Sequence, residues 1–376
     1  MHIIIAGDLV PTESNIELFK NGESNKLLGE ELFSLWSSVD SKIINLESPI
    51  TDRIKPISKK GPALSIPTEA LTGIVSLRPS LLNLANNHIL DQSFEGLYNT
   101  MKILKDSNIP FVGAGKNIDE SSKPYIMENK STKLGVYSCA ESEFSIATST
   151  QPGANPFDPL ESLDHIKDLK SKCDYVIVLY HGGKEHYRYP SPYLQKVCRK
   201  IVEKGADLVV CQHSHCVGAY ENYKDSTIVY GQGDFIFNKY DNEFWNNSIL
   251  VDIKIENGFE VNYIPILTTE KGVRLAKDKE KKEILDNFHE RSVKILDKDF
   301  IEKNYEEFAK KNIDNYIRKF LAFGKWQSRI DRKILKGYLL NKKINKEYLL
   351  AIENFIECEA HRELLIRGIK SRRNDA

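Results

Sequence analysis

Short apolar runs recur along much of the chain, and each ends at side chains that can bind a metal or move a proton. The runs are rich in β-branched residues and read MHIIIAGD, KIINLE, SLLNLANNH, DYVIVLYHGG, ADLVVCQHSH and STIVYGQGDF. Such runs predict buried β-strands. Segments with apolar residues at helical spacing lie between them, such as SFEGLYNTMKILKDSN and SPYLQKVCRKIVEKG. The alternation of strands and helices predicts an α/β sandwich.

The ends of the predicted strands carry the candidate metal ligands. In open α/β sheets, ligands bind beyond the carboxyl ends of the strands. A polar residue at one strand end would mean little, because loops are polar, but such residues recur at successive strand ends. The residues concerned are Asp8, Glu47, Asn87, His181, His213 and His215. Their carboxylate, amide and imidazole groups suit Mn, Fe or Zn. We expect one or two such divalent ions, which would activate a water or polarise a substrate oxygen.

Three further residues are candidates for catalysis. His88 follows Asn87 and is suited to moving a proton. Asp91 either orients His88 or caps the helix that follows it. Glu185 comes directly after HGGK and either faces the substrate or is solvated. Asp234 ends the last apolar run and is a candidate to orient a ligating histidine.

The charge balance and the hydropathy pattern narrow the class of protein. The 376 residues contain 53 Lys and Arg against 53 Asp and Glu, which is not the basic excess of a nucleic-acid-binding protein. No stretch reaches the roughly 18 apolar residues of a membrane span, and the apolar start at residues 3–6 is too short for a signal peptide. We therefore expect a cytoplasmic protein with no nucleic-acid partner and no membrane span, whose six cysteines are reduced.

A change in composition predicts two domains. Residues 247–266 alternate around Asn257 and Gly258, a pattern typical of a β-hairpin, so the first domain is expected to span 1–270. From residue 278 onward Lys, Glu, Ile, Leu and Phe dominate in amphipathic helical patterns. We therefore expect 278–376 to form a helical C-terminal extension, which would serve as a lid, a partner site or the interface of a homo-oligomer.

Several ordered blocks carry a resemblance to a known family. They are AGDLVPT, INLESPIT, LANNHILDQSFEGLYNT, VGAGKN, YHGGKEHYRYPSP, KGADLVVCQHSHCVGAYE and VYGQGDFIFN. These blocks resemble the capsule-synthesis CapA family of the calcineurin-like metallophosphoesterase superfamily, from about residue 1 to about residue 238. The resemblance implies a four-layer α/β/β/α metallophosphoesterase-like sandwich with a two-metal site. It also implies a role in capsule or poly-γ-glutamate assembly, with capsule-synthesis proteins as partners.

The resemblance implies a role for each strand-end residue as a ligand of the superfamily's metal pair. These are the first-strand aspartate (Asp8), the bridging acid (Glu47), the amide (Asn87), the single histidine (His181) and the Gly-His-x-His pair (His213 and His215). His88 resembles the catalytic histidine of the Asn-His motif. Two positions depart from the phosphoesterase pattern: Val10 stands where the Asp-x-His motif has its histidine, and position 47 has Glu in place of Asp.

Three functions are compatible with these residues. The main hypothesis is metal-dependent hydrolysis of a phosphoester, or of an amide such as a γ-glutamyl bond, in a small-molecule, peptide or polymer substrate. The second keeps the metal site but uses it for epimerase-like abstraction of a carbon-bound proton from a peptide. The third is a non-enzymatic assembly partner of a capsule synthetase. The residues alone leave these alternatives open.

Overall fold

The computed structural model of the protein describes residues 1–129, 132–238 and 242–374 and divides into two compact units. The first unit is Met1–Glu302 and the second is Lys303–Ala376. The first unit therefore extends past the predicted boundary at 270 and includes the helix Asp278–Lys294. Phe288 of this helix is buried, and its ring centroid lies 5.0 Å from that of Tyr263. The helix thus belongs to the core of the first unit.

The β-strands of the first unit form two large sheets and one short pair. In chain order they are β1 (His2–Leu9), β2 (Ser41–Leu46), β3 (Leu81–Asn83), β4 (Phe111–Val112), β5 (Ala114–Gly115), β6 (Tyr125–Asn129), β7 (Thr132–Ala140), β8 (Gly153–Ala154), β9 (Tyr175–His181), β10 (Leu208–Gln212), β11 (Tyr220–Tyr223), β12 (Ser226–Val229), β13 (Asp234–Ile236), β14 (Asn247–Ile255), β15 (Phe259–Thr268) and β16 (Val273–Leu275). The first sheet has the order β16–β15–β14–β1–β2–β3–β4, with β13 beside β1, and the second has the order β11–β12–β10–β9–β7–β6. Strands β1 to β4 are parallel, and so are β7, β9, β10 and β12. Each parallel group brings its carboxyl ends to one edge.

The helix Ser93–Asp106 packs outside the first sheet, and the helices Ser162–Lys170 and Pro192–Glu203 pack outside the second. The helix Asp278–Lys294 instead contributes Ile284 and Phe288 to the cluster between the sheets. The helices of the described chain are α1 (Ile16–Lys20), α2 (Ser24–Leu28), α3 (Glu30–Ser38), α4 (Leu71–Ser76), α5 (Ser93–Asp106), α6 (Ile118–Ser121), α7 (Ser162–Lys170), α8 (Pro192–Glu203), α9 (Asp278–Lys294), α10 (Lys298–Phe320), α11 (Lys325–Lys333), α12 (Tyr338–Lys343), α13 (Lys346–Glu357) and α14 (Glu359–Asn374). Short 3-10 helices span Thr68–Ala70 and Glu243–Trp245.

Three apolar clusters fill the spaces between the layers of the first unit. Between the sheets, Ile5 of β1 belongs to one cluster with Leu179 of β9. Outside the first sheet, the neighbouring Ile4 clusters with Leu97 of α5, and outside the second sheet Val178 clusters with residues of α7 and α8. Successive residues of a strand face opposite sides of its sheet, so one apolar run supplies two clusters. The resulting α/β/β/α order confirms the predicted fold class.

The prediction that STIVYGQGDF forms one strand ending at Asp234 is wrong. The run divides into β12, which ends at Val229 in the second sheet, and β13, which begins at Asp234 beside β1 in the first sheet. Gly231 and Gly233 lie between them with φ values of +151° and +76°. Glycine adopts such values without a steric penalty, so the chain turns from one sheet to the other. Asp234 consequently lies opposite Asp8 in the pairing of β13 with β1.

The predicted hairpin is confirmed, because β14 and β15 pair antiparallel with Ile255 opposite Phe259. The second unit is helical and contains a buried ion pair between Arg318 and Asp331, with 3.1 Å between Nη2 and Oδ2. Its helices also expose apolar side chains such as Trp326 and Leu364. The homo-oligomer expected through these helices stays a prediction. Within the described ranges, no helix combines the length and the apolar character that crossing a bilayer requires.

Candidate metal centre

The carboxyl ends of strands from both sheets bring the predicted ligands together. The strands deliver Asp8 on β1, Glu47 directly after β2, Asn87 on the segment after β3, His181 at the end of β9, and His213 and His215 after β10. None of these six residues is more than 8% exposed. Buried polar groups normally have hydrogen-bond partners, so the cluster needs a physical explanation.

The strongest indication of a metal is a set of buried atoms that lack partners. Among the described residues, neither carboxylate oxygen of Glu47 has a hydrogen-bond partner, and the same is true of Nδ1 of His213 and Oδ2 of Asp234. Glu47 is fully buried, and its Oε1 lies 3.3 Å from Nε2 of His181. An uncompensated buried carboxylate costs several kcal/mol. A bound cation would remove this cost, so the donor atoms fit the divalent ions that the family resemblance implies.

The donor atoms form overlapping groups that are small enough to surround ions. One group contains Glu47, His181 and His213, and another contains Asp8, Glu47 and His215, with the ligand atoms of each group within 4.8 Å of one another. Ligand atoms at about 2.0–2.2 Å from an ion lie within roughly 4 Å of each other, so only small adjustments are needed. Glu47 belongs to both groups. It is therefore the residue that can bridge two ions, as its place in the sequence pattern implied.

Asn87 and its neighbour Asn86 have different surroundings. Oδ1 of Asn87 lies 3.1 Å from Nε2 of His181, which places it beside the group that contains this histidine. Asn86 instead donates from Nδ2 to the carbonyl oxygen of Leu46 at 2.9 Å and accepts from the backbone N–H of His88 at 3.1 Å. Asn86 thus fastens the loop to β2, and Asn87 is the asparagine that faces the donor cluster.

The pKa values in the cluster have identifiable causes. Burial, followed by the charge of Glu47, raises the pKa of Asp8 to about 8, and burial raises the pKa of Glu47. Burial lowers the pKa of His181 to about 4 and holds the pKa of His213 well below its usual value. Metal ligands bind as neutral imidazoles and ionised carboxylates. The two histidines are therefore ready to bind, whereas the carboxylates are ionised easily only beside a cation.

His215 is held by contacts on its edge and on its face. Its Nδ1 lies 2.8 Å from Oδ1 of Asp234 and 3.5 Å from Oδ2 of Asp8, and Trp245 stacks on the ring with 4.4 Å between centroids. Burial alone would lower the pKa of His215, but the Asp234 carboxylate raises this pKa to about 10. Both His213 and His215 have positive φ values, 92° and 53°. Such backbone strain is common where function requires one fixed geometry.

His88 lies in a hydrogen-bonded group beside the donor cluster. Its Nδ1 lies 2.6 Å from Oδ2 of Asp91. A carboxylate can only accept, and this contact is shorter than the 3.1 Å between Nδ1 and the Lys59 ammonium, so Nδ1 carries the proton and Nε2 is left as an acceptor. Asp91 also accepts from the backbone N–H of Leu64 at 2.7 Å, while α5 begins without a side-chain cap. Asp91 therefore orients His88 rather than capping the helix.

The sequence reasoning overlooked Lys59. Its side chain is 4% exposed, and its ammonium group donates to Asp91 and lies 3.1 Å from Nδ1 of His88. A buried lysine requires a partner, and here it balances the charge of Asp91. The segment SKKG around Lys59 has the composition of a solvated loop. No local signal could have distinguished this lysine from its neighbour.

Buried amides beneath the cluster were also overlooked. Asn45 donates from Nδ2 to Oδ1 of Asp8 at 2.6 Å, and Asn83 donates to Oδ1 of Asn45 at 3.0 Å. Asn83 also donates to Oε1 of Gln212 at 3.2 Å. These amides lie on β2, β3 and β10 and link the two sheets through hydrogen bonds that extend to Asp8. Asn45 alternates with Glu47 in INLE, and an asparagine in a buried strand was a usable signal.

Glu185 is exposed, unlike the other candidates. One of its carboxylate oxygens forms a third compact group with His213 and His215, in which the ligand atoms again lie within 4.8 Å of one another. The segment that carries it is fastened by a hydrogen bond from the backbone N–H of His186 to the carbonyl oxygen of Ser214 at 2.9 Å. The structure therefore places the exposed Glu185 beside His213 and His215.

Comparison with known proteins agrees with the resemblance in the sequence. Residues 2–239 match the family model described as "Bacterial capsule synthesis protein PGA_cap". The chain belongs to this family. The chain is also similar to "Capsule biosynthesis protein CapA" of Bacillus anthracis, which is 30% identical over 47% of this chain and 44% of that protein. "PGA biosynthesis protein CapA" of Bacillus subtilis is 28% identical over 52% of each chain. The chain thus spans about half the length of these relatives.

Solved structures resemble the chain more weakly. A putative 5'-nucleotidase from Staphylococcus aureus in complex with alpha-ketoglutarate has a TM-score of 0.45 at 14% identity, covering 77% of this chain and 58% of that chain. A phosphatase from Mycoplasma pneumoniae has a TM-score of 0.41 at 13% identity, covering 76% of this chain and 96% of that chain.

Proposed function

We propose that this protein is a divalent-metal-dependent hydrolase that cleaves a phosphoester, or an amide such as a γ-glutamyl bond, during assembly of a capsule polymer. The observation that supports this most directly is the buried Glu47 carboxylate. Both of its oxygens lack a partner among the described residues, and it belongs to two groups of donor atoms at once. An arrangement of this kind suits two ions that share one carboxylate. The names of the curated relatives support a polymer as the substrate class.

The residues of the site divide into binding and proton-transfer roles. Bound ions would lower the pKa of a water and stabilise negative charge on the attacked group. His88 is the proton-transfer group, since Asp91 fixes its tautomer and leaves Nε2 to accept a proton from the attacking water and pass it to the leaving group. The ammonium group of Lys59 offsets the charge of Asp91 and lies 3.1 Å from Nδ1 of His88. Asn45 fixes the rotamer of Asp8 through its 2.6 Å hydrogen bond.

Metal content is the first test. The protein would be purified without chelator, reconstituted with Mn, Fe or Zn in turn, and analysed for bound metal beside His213→Ala and Asp8→Ala. His289→Ala is the matched control. This exposed histidine lies on α9, and its Nδ1 lies 3.0 Å from the hydroxyl oxygen of Tyr220. We expect the wild type and the control to bind equally and both site variants to lose metal. A wild type that binds no metal after reconstitution would refute the proposal.

The loaded protein would then be assayed with bis(p-nitrophenyl) phosphate and with γ-glutamyl-p-nitroanilide. Cleavage of either, lost in His213→Ala and retained in His289→Ala, supports hydrolysis and identifies the bond class. Metal binding without cleavage of either class would overturn hydrolysis. Deuterium incorporation from D₂O at a glutamyl carbon, without bond cleavage, would then replace it with proton abstraction.

A further inference from the structure

The Asp8 side of the donor cluster has one imidazole fewer than the Asp-x-His pattern would supply. Val10 stands at the position of the missing histidine, is 3% exposed and packs with Phe237 and Trp245. An aliphatic side chain in an apolar cluster cannot act as a ligand. The group on this side therefore contains Asp8, Glu47 and His215. A fourth ligand, if the protein supplies one, must come from a different element.

The segment between β9 and α8 carries a candidate ligand, Glu185, whose donor group shares His215 with the Asp8 side. Gly183 has a φ of +105° and His186 a φ of +59°, so the chain turns sharply on both sides of Glu185. The hydrogen bond from His186 to Ser214 ties this turn to the backbone between the two ligand histidines. Nε2 of His186 also accepts from the indole N–H of Trp245 at 3.1 Å. Two hydrogen bonds of His186 therefore fix the position of the turn relative to His215, one to the residue before His215 and one to the indole that stacks on its ring.

At this turn the side chain of Glu185 lies close to His213, whose Nδ1 has no hydrogen-bond partner among the described residues. A carboxylate oxygen of Glu185 lies within 4.8 Å of a ring nitrogen of His213 and of His215. His213 is 7% exposed, and its Nδ1 has no hydrogen-bond partner in the described part of the chain. Likewise, no ion pair joins Glu185 to any described residue. A cation is the ligand that satisfies a carboxylate and two imidazoles together.

We propose that Glu185 is a metal ligand at the His213–His215 pair, where it adds a carboxylate to a centre that receives no imidazole from position 10. This inference rests on the proposed function, because it requires the donor cluster to bind a divalent ion. It gives Glu185 a metal-binding role, whereas the sequence left open whether this residue faces the substrate or is solvated. It also explains why the turn is fastened to the backbone of the histidine pair rather than to the segment that carries His88.

A metal titration with a matched control tests the proposal. Wild type, Glu185→Gln and Glu143→Gln would be stripped with chelator and titrated with Co(II), with bound metal counted by elemental analysis and affinity measured by competition with a chromogenic chelator. Glu143 is also exposed and its charge acts on His181, but it belongs to no compact donor group found in the described residues. It therefore controls for the loss of a nearby negative charge.

We expect Glu185→Gln to lose one equivalent of Co(II) or to bind at least tenfold more weakly, since loss of even an outer-shell partner typically costs 10–100-fold. Its Co(II) visible spectrum should change, because the spectrum reports the ligand set, and Glu143→Gln should stay within about twofold of wild type. Circular dichroism would verify that each variant is folded. Unchanged stoichiometry, affinity and spectrum in Glu185→Gln, with a wild type that binds metal, would overturn this inference and leave the proposed function intact. A wild type that binds no Co(II) would overturn both.

Discussion

Replacing Asp8 by asparagine should stabilise the metal-free protein at neutral pH and weaken metal binding. In the structure, burial and the neighbouring Glu47 raise the pKa of Asp8 from 3.8 to about 8. The folded state therefore keeps a proton that the unfolded state loses above about pH 4. Stability consequently falls as the pH rises from about 4 to about 8, and the loss is absent below this interval. Asparagine has no charge to bury and lacks this dependence.

The size of the change in the free energy of unfolding follows from the raised pKa of Asp8. Each pH unit in the interval costs about 1.36 kcal/mol, so the ionisable carboxyl lowers the free energy of unfolding by about 4 kcal/mol at neutral pH. Asparagine retains an acceptor for Nδ2 of Asn45, which lies 2.6 Å from Oδ1 of Asp8. It loses the second acceptor, which receives the backbone N–H of His213 at 3.4 Å, at a cost of about 1 kcal/mol. The expected net gain is about 3 kcal/mol.

Urea unfolding with a chelator, from about pH 5 to about pH 8, measures this difference. The matched control is Asp252→Asn, a buried aspartate on the adjacent strand whose Oδ1 lies 2.5 Å from Nε2 of His2; it should destabilise the protein by removing that contact. With metal at about 100 times its Kd, the wild type should gain about 2.7 kcal/mol and Asp8→Asn much less. If Asp8→Asn is less stable than wild type in chelator throughout the interval, the carboxyl is not an uncompensated buried group and the reasoning fails.

Three other substitutions test separate parts of the molecule. His88→Asn should leave metal content unchanged and lower the hydrolysis rate by about 10²–10⁴-fold; loss of metal in this variant would contradict its proton-transfer role. Gly7→Ala should destabilise the first unit by about 1–3 kcal/mol or more, because a Cβ there would lie 2.0 Å from the carbonyl oxygen of Gly233; an unchanged thermal midpoint would argue against this close approach. Asp331→Ala should destabilise the second unit by about 3–5 kcal/mol, since it removes the buried partner of the Arg318 guanidinium and leaves the exposed Asp314 at 3.7 Å as a weaker one; limited proteolysis in urea measures this, and equal cleavage of variant and wild type would refute it.

The family and the fold class could be predicted because their signals are local. Ile4 and Ile5 alternate between two apolar clusters, and this period of two is visible in MHIIIAGD. The Asn257-Gly258 pair likewise predicted a hairpin, which the structure confirms. The domain boundary was harder, because α9 has the composition of the helices that follow it. Phe288 ties α9 to the first unit through contacts with Tyr263 of β15 that no local pattern reveals.

The sequence by itself determined which residue types stand at the strand ends, and hence that carboxylates, an amide and imidazoles would share one edge of the sandwich. The tertiary structure decided their partners. Asp234 reaches His215 only because two glycines carry the chain from one sheet to the other. Lys59 is buried against Asp91, which lies in a different loop of the chain. The turn that carries Glu185 is likewise bonded to a distant segment, through the hydrogen bond from His186 to Ser214. Strand periodicity is a property of adjacent residues, whereas a loop position depends on the packing of the whole unit.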